Sequence, residues 1–236
     1  MLFQRCNNTL HKIFSNLRIA YLRNINTEEK TKKWESSLDF CNSCDEQCRE
    51  QVVENMIILN DFLSLEEEKS LFEEVEPYMK KLHYEFDHWD DFIVFQAIHG
   101  YRETERLQWN EKNKVIIDKV RSVGFPASVP QLKLVHVLDL AENGVIKAHI
   151  DSTRFCGNTI AGLSLLSDSV MRLVHHEKKD LKVDALLRRR SLYIMKGVVR
   201  YNFTHEILGN DVSLFRGCPV LKTRRLSIIC RNEPVS

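Results

Sequence analysis

The stretch GVIKAHIDSTRFCGNTIAGLSLL (residues 144–166) places two short runs rich in Val, Ile and Leu on either side of a polar, turn-prone centre. Both runs have strand length, and the centre breaks them apart. On an extended chain residues i and i+2 share a face, so His149 and Asp151 point the same way. A carboxylate among apolar neighbours is costly unless something pairs with it. Either the two form a satisfied polar pair in a turn, or both reach for one metal ion.

The same texture extends outward from this stretch. LKLVHVLDL (132–140), SVMRLVHH (169–176), SLYIMKG (191–197) and RRLSIIC (224–230) are short, apolar and separated by turn residues, among them ENG at 142–144. Many short strands with turns between them indicate a sandwich or barrel. Helices precede them. VVENMIIL (52–59) reads as a first strand. Ser64 and Glu67 then form a capping box that opens a helix with Leu65, Leu71, Phe72 and Val75 on one side and Pro77 at its end. A second helix is predicted from Asn110 to Val123, burying Val115, Ile116 and Val120 and stopped by Gly124 and Pro126. The expected architecture is mainly β (α+β), a jelly-roll barrel braced by N-terminal helices.

The 236 residues suit one sizeable domain, taken as 51–236, behind a polar linker at 28–50. Residues 1–27 hold four basic residues and no acidic one. On a helix, Leu10, Phe14, Leu17 and Tyr21 fall opposite Arg5, Lys12 and Arg23, the pattern of a mitochondrial presequence. The plainer alternative is a basic arm. No run approaches the roughly 18 apolar residues of a membrane span. Seven cysteines, four of them without a close partner, argue for a reducing compartment. Three thiols in CNSCDEQC (41–48) could begin a zinc or iron–sulfur site, but no fourth ligand is near, and an incidental cluster is the simpler reading. The net charge of +1 hides an asymmetry: residues 39–91 carry −12 and residues 171–231 carry +9, so the C-terminal half could draw an anionic partner.

His-x-Asp/Glu occurs at His83, His88, His149 and His175. Chance supplies roughly one such match in a chain of this composition, so position must choose. The first two precede the strand-rich region, and the last runs into a charged turn. His149 and Asp151 lie within the β-region, and His205 follows Asp151 by 54 residues, enough for several strands to return the chain to a barrel mouth. Two histidines and a carboxylate with open positions suit a non-haem Fe(II) oxygenase; zinc could use the same ligands. The last strand adds Arg225, Ser227, Ile229 and Arg231 on one face. Arginines pointing into a barrel need anions, and a guanidinium forks onto a carboxylate. A dicarboxylate cosubstrate answers that need, and Tyr193, on an apolar strand, has a hydroxyl that also wants a buried partner.

These residues, with the runs YEFDHWD, AIHGYRETE, VHVLDL, HIDSTRFCGNTIAGLSLLS, VMRLVH, SLYI, HEIL and RRLSIICR, resemble the AlkB-type dioxygenases, most closely their mitochondrial branch, from about residue 52 to the end. The resemblance implies a double-stranded β-helix. It implies His149, Asp151 and His205 as ligands of Fe(II), and Tyr193, Arg225 and Arg231 as contacts for 2-oxoglutarate. It implies O2 as the other cosubstrate, succinate and CO2 as products, and hydroxylation of a C–H bond. It further implies a role in regulated necrosis and in fatty-acid and energy metabolism, in the mitochondrial matrix, with a protein or mitochondrial RNA as substrate. A monomer is expected. Nucleic-acid repair members carry Asn-x-Tyr where this chain has Leu138-Asp139-Leu140, and the region ahead of the barrel is too short for the lids that hold a flipped base, which argues against double-stranded DNA. DDFIVFQAIHG (90–100) is longer than the branch usually has there. An iron- and 2-oxoglutarate-binding sensor or interaction module with little turnover is the alternative from another class.

Overall fold

A computed structural model describes residues 34–85 and 98–234. The presequence reading, His88 and most of the long stretch at 90–100 lie outside them. The order of elements is β1 (Leu38–Phe40), α1 (Glu46–Asn55), β2 (Met56–Leu59), α2 (Leu65–Met79), β3 (Ile98–Arg106), α3 (Glu111–Gly124), β4 (Val135–His149), β5 (Thr159–Leu165), β6 (Ser169–His175), β7 (Lys182–Leu187), β8 (Ser191–Lys196), α4 (Gly197–Asn202), β9 (Phe203–Ile207), β10 (Leu214–Phe215), β11 (Cys218–Pro219) and β12 (Arg225–Arg231).

Ten strands form one curled antiparallel sheet in the order β1-β7-β6-β9-β4-β12-β5-β8-β2, with β3 also paired to β4. This is the expected jelly roll. Strand alternation sorts its side chains. Ala161, Leu163 and Leu165 of β5, Leu192 and Ile194 of β8, and Leu226, Ile228 and Cys230 of β12 face outward and pack with Leu71, Val75 and Met79 of α2 and Ile116, Ile117 and Val120 of α3. Tyr193, Met195, Ile160, Leu138 and Leu140 face inward. The helices therefore close the outer face with their apolar stripes and leave the inner face for a cavity. Each fully buried aliphatic side chain contributes about 1.5–3 kcal/mol.

The helices begin where capping chemistry places them. Ser64 accepts the Glu67 N–H at 3.1 Å, and the Glu67 carboxylate accepts the Ser64 N–H at 2.8 Å. Asn110 caps α3 with a single bond, its side-chain oxygen accepting the Asn113 N–H. Pro77 sits inside the last turn of α2, which continues to Met79. Val115 and Leu65, expected in the core, are 50% and 58% exposed, because each stripe is narrower than its apolar letters suggest.

Three segmentations need correction. The polar linker at 28–50 is, from residue 34 on, built structure: Leu38, Cys44 and Cys48 are buried, and β1 pairs with β7. VVENMIIL is not one strand; its first half ends α1 and its second half is β2. The chain does not turn back at Glu142-Asn143-Gly144, because β4 runs from Val135 to His149 and changes partners, pairing with β12 at its start and β9 at its end. A Cβ at Gly144 would meet the Gly100 carbonyl at 2.4 Å, so that crossing requires a glycine. Among the described residues no helix is long and apolar enough to cross a membrane.

Candidate active site

β4 ends at His149, which pairs across the ladder with His205 of β9. Their rings stand 4.2 Å apart, centroid to centroid. Asp151 lies two residues past the strand and folds back, placing Oδ1 3.3 Å from His149 Nε2 and 3.9 Å from His205 Nε2. One ligand atom from each of the three lies within 4.8 Å of the others, and among the described residues this trio is the grouping able to hold a metal ion. His149 Nδ1 is 2.8 Å from the Lys147 carbonyl. Donation there puts the proton on Nδ1 and leaves the Nε2 lone pair aimed at the centre, the usual way a backbone carbonyl orients a metal-binding imidazole.

The electrostatics suit a cation. Burial opposes ionisation of Asp151, but the His149 hydrogen bond and the fields of His205, His149 and Arg200 outweigh it and hold the carboxyl well below the usual carboxylate range. Burial drives His205 down to about 4, so its imidazole is neutral at physiological pH. The His149 pKa is raised: desolvation opposes this, but the Asp151 and Lys147 hydrogen bonds prevail.

The trio opens into a narrow cavity of about 170 Å³ inside the barrel. Tyr193, Arg225, Ser227, Ile229 and Arg231 all line it, as the period of two on β12 predicts. Arg225 is 2% exposed. Its Nε donates to Ser164 Oγ at 3.1 Å, and its guanidinium is a hydrogen-bond neighbour of the Tyr193 hydroxyl. Its Nη2 has no partner, and neither do Ser227 Oγ nor Arg231 Nε. Arg231 differs in having its charge met, since Nη2 pairs with Glu105 Oε1 at 2.7 Å. Glu105 lies on β3 and could not be foreseen, because β3 was not among the strands read from the sequence.

Other contributors were also missed. A Cβ on Gly162 would fall 2.4 Å from the Tyr193 hydroxyl, so a glycine opposite Tyr193 is what admits the ring. Arg200, buried in α4, donates to the Cys156 carbonyl and thiol and so ties down the loop that carries Asp151. Leu138 forms an apolar cavity wall, whereas Asp139 turns to the other face, held by Arg102 and Arg224. His175 and His83 stand apart from the trio. The three thiols of CNSCDEQC do approach one another, away from this cavity.

Comparison with known proteins agrees with this geometry. The chain is 49% identical over 173 residues to the mouse (Mus musculus) alpha-ketoglutarate-dependent dioxygenase alkB homolog 7, mitochondrial, covering 73% of this chain and 76% of that one. It is 47% identical over 178 residues to the bovine (Bos taurus) protein of the same name, covering 75% and 78%. The chain belongs to the AlkB family of 2-oxoglutarate-dependent dioxygenases. No family model matches it. Among solved structures, OsALKBH1 superposes with a TM-score of 0.53 at 12% identity, over 75% of this chain and 97% of that one, a likeness of fold.

As an AlkB-family enzyme it is a dioxygenase that uses Fe(II), 2-oxoglutarate and O2, and its relatives are named mitochondrial. The residues present fit those groups. Two imidazoles and one carboxylate on a shared centre are the donor set for non-haem Fe(II) with positions left open. A buried guanidinium with an unpartnered N–H, beside an unpartnered hydroxyl, has the donors that a carboxylate would accept from.

Proposed function

We propose that His149, Asp151 and His205 hold the iron, and that 2-oxoglutarate lies along the cavity with its far carboxylate on Arg225 and Tyr193 and its metal-side end near Arg231. The observation that carries this reading is the orphaned Nη2 of Arg225. Leaving a buried charge unpaired costs several kcal/mol, and a carboxylate entering the cavity repays it. Bound iron supplies the oxidising chemistry when cosubstrate and O2 are present. The protein's own residues orient the keto acid, keep His205 neutral as a donor, and wall the centre with Leu138, Ile146, Ile160 and Met171.

The substrate we assign is macromolecular, a polypeptide segment hydroxylated at a C–H bond in the mitochondrial matrix by a monomeric enzyme. A larger open groove of about 990 Å³ adjoins the cavity and shares Glu103, His136 and Arg231 with it. Leu107, Leu134 and Phe155 line this groove and are exposed. Its cations are Lys133 and Arg231, the latter already paired, and its carboxylates are Glu103, Glu105 and Glu233. That lining suits an apolar side chain better than a phosphate backbone. Four arginines of the basic C-terminal half, Arg172, Arg189, Arg190 and Arg224, are engaged with Asp184, Glu68, Asp61 and Glu76, and none of the four lines the groove. The roles in regulated necrosis and in fatty-acid and energy metabolism rest on the resemblance to the mitochondrial branch.

The test is succinate formation from 2-oxoglutarate by the Fe(II)-loaded enzyme, with mitochondrial peptide and transfer-RNA pools offered separately. Peptide stimulation of succinate release, lost in Arg225→Ala, supports the reading. Stimulation by RNA, with an affinity that falls steeply with salt, transfers the substrate to nucleic acid. Absence of succinate from the loaded enzyme overturns the cosubstrate assignment.

A further inference from the structure

The segment CNSCDEQC plays no part in the site above, yet the fold draws its three thiols together. Cys41 lies one residue past β1 and is half-buried; Cys44 and Cys48 are buried. Cys44 Sγ stands 3.6 Å from Cys41 Sγ and 3.5 Å from Cys48 Sγ, so it is the shared middle of the row. A turn in which Cys44 N–H donates to the Cys41 carbonyl at 3.2 Å makes the first approach. The first turn of α1, capped by Asp45 accepting the Cys48 N–H at 2.8 Å, makes the second. A disulfide needs a sulfur separation of about 2.05 Å, so closing one would shorten either contact by about 1.5 Å.

The three thiols are not equivalent. Cys41 Sγ accepts the Lys182 N–H at 3.2 Å and donates to the Asp180 carbonyl at 3.2 Å, an arrangement supplied by the β1–β7 pairing. Partial burial opposes its ionisation, but the donors from Lys182, Cys44 and Ser43 outweigh this and lower its pKa. Burial, reinforced by its two sulfur neighbours, pushes Cys44 far up. A half-buried thiol that hydrogen bonds make easier to ionise, beside a buried thiol that holds its proton, is the pairing a redox dithiol needs.

We propose that Cys41 and Cys44 form a peroxide-reactive dithiol, with Cys41 as nucleophile and Cys44 as resolving thiol. In the first step the Cys41 thiolate attacks a hydroperoxide. A sulfur–oxygen bond forms as the oxygen–oxygen bond breaks, the sulfur loses two electrons to become a sulfenic acid, and the departing oxygen takes a proton from solvent and leaves as water or an alcohol. In the second step the Cys44 sulfur attacks the Cys41 sulfur, its proton goes to the leaving hydroxyl, and water departs as the disulfide closes. The bond ties the end of β1 to the loop that leads into α1, and α1 packs on α4, the helix leading into the strand of His205.

The experiment uses the full-length chain with Mn(II) in place of iron, which keeps iron-catalysed oxidation out. One equivalent of hydrogen peroxide is followed by alkylation with N-ethylmaleimide in denaturant and peptide mapping. The expected result is loss of two of the seven alkylatable thiols, located as a Cys41–Cys44 disulfide, while exposed Cys218 stays reduced. Cys44→Ser should accumulate a dimedone-trappable sulfenic acid at Cys41, and Cys41→Ser should leave Cys44 reduced. Oxidation of Cys218 at least as fast as Cys41 overturns the proposal, as does a Cys44–Cys48 bond in its place. So does stoichiometric Zn(II) retained by Cys41, Cys44 and Cys48 and shielding them from peroxide.

Discussion

The two faces of the sheet around β4 and β12 both bury arginine, and they treat it in opposite ways. On the outer face Asp139 accepts from Arg102 Nε and Arg224 Nη2 at 2.7 Å and from Tyr84 at 3.2 Å, while Arg224 also forks onto Glu76. Asp139 is fully buried there with both carboxylate oxygens engaged. On the inner face Arg225 Nη2, Ser227 Oγ and Arg231 Nε are left without partners. Arg224, just ahead of β12, and Arg225, its first residue, thus belong to a closed network and an open one. A closed network is architecture; the open one in the cavity is where we place the carboxylate of the cosubstrate.

The sharpest way to break this contrast is to cut the closed network. Asp139→Ala leaves the buried Arg102 guanidinium, and one side of the half-buried Arg224 guanidinium, short of their carboxylate and should cost about 3–5 kcal/mol of stability, read by urea denaturation, while the KM for 2-oxoglutarate stays near wild type in whatever fraction folds. The open network should respond the other way. Arg225→Met removes a buried charge that lacks its anion, so the ligand-free protein should hold or gain about 1 kcal/mol. The affinity for 2-oxoglutarate should fall by about 2–4 kcal/mol, roughly 30- to 1000-fold, measured by calorimetry with Mn(II) present. Loss of stability with unchanged affinity would reverse the two assignments. A subtler change is Gly162→Ala, whose Cβ would meet the Tyr193 hydroxyl at 2.4 Å. Overpacking of about 1–3 kcal/mol should appear as a lower Tm together with a KM for 2-oxoglutarate raised by about tenfold.

What could be read from the letters follows from which interactions are local. Arg225, Ser227, Ile229 and Arg231 obey a period of two, so their shared face is legible without a fold; His149 and Asp151 do meet, but because Asp151 folds back past the end of β4 rather than by sharing a strand face. The His149–His205 pairing was reachable because 54 residues permit a strand to return beside β4. Glu105 within reach of Arg231 across β4, Gly162 opposite Tyr193 and Asp139 between two arginines depend on strand order and register, which no single segment carries. The linker assigned at 28–50 failed for a related reason. Its polar letters conceal Leu38, Cys44 and Cys48, which are buried only because β7 and the barrel wall arrive from elsewhere.

The smallest expected effect is that of pH on metal binding. A metal ligand must be unprotonated. His149, whose pKa is raised by Asp151, takes its proton first as the solution is acidified. His205, pushed down to about 4, holds out far longer. Mn(II) affinity should therefore fall by about tenfold per pH unit below the His149 pKa, the slope of one competing proton, in a titration followed by Mn(II) electron paramagnetic resonance. A two-proton slope in that range would mean that the imidazoles titrate together.

The central claim is that one ion and one keto diacid span the inner face between the His149–Asp151–His205 trio and Arg225. A crystal soaked with Mn(II) and N-oxalylglycine tests it directly. Anomalous density bonded to all three side chains, with the inhibitor's far carboxylate forked on Arg225 and within hydrogen-bonding reach of Tyr193, is the predicted result. A metal bound without His205, or an inhibitor whose carboxylate leaves Arg225 Nη2 unpaired, would contradict it.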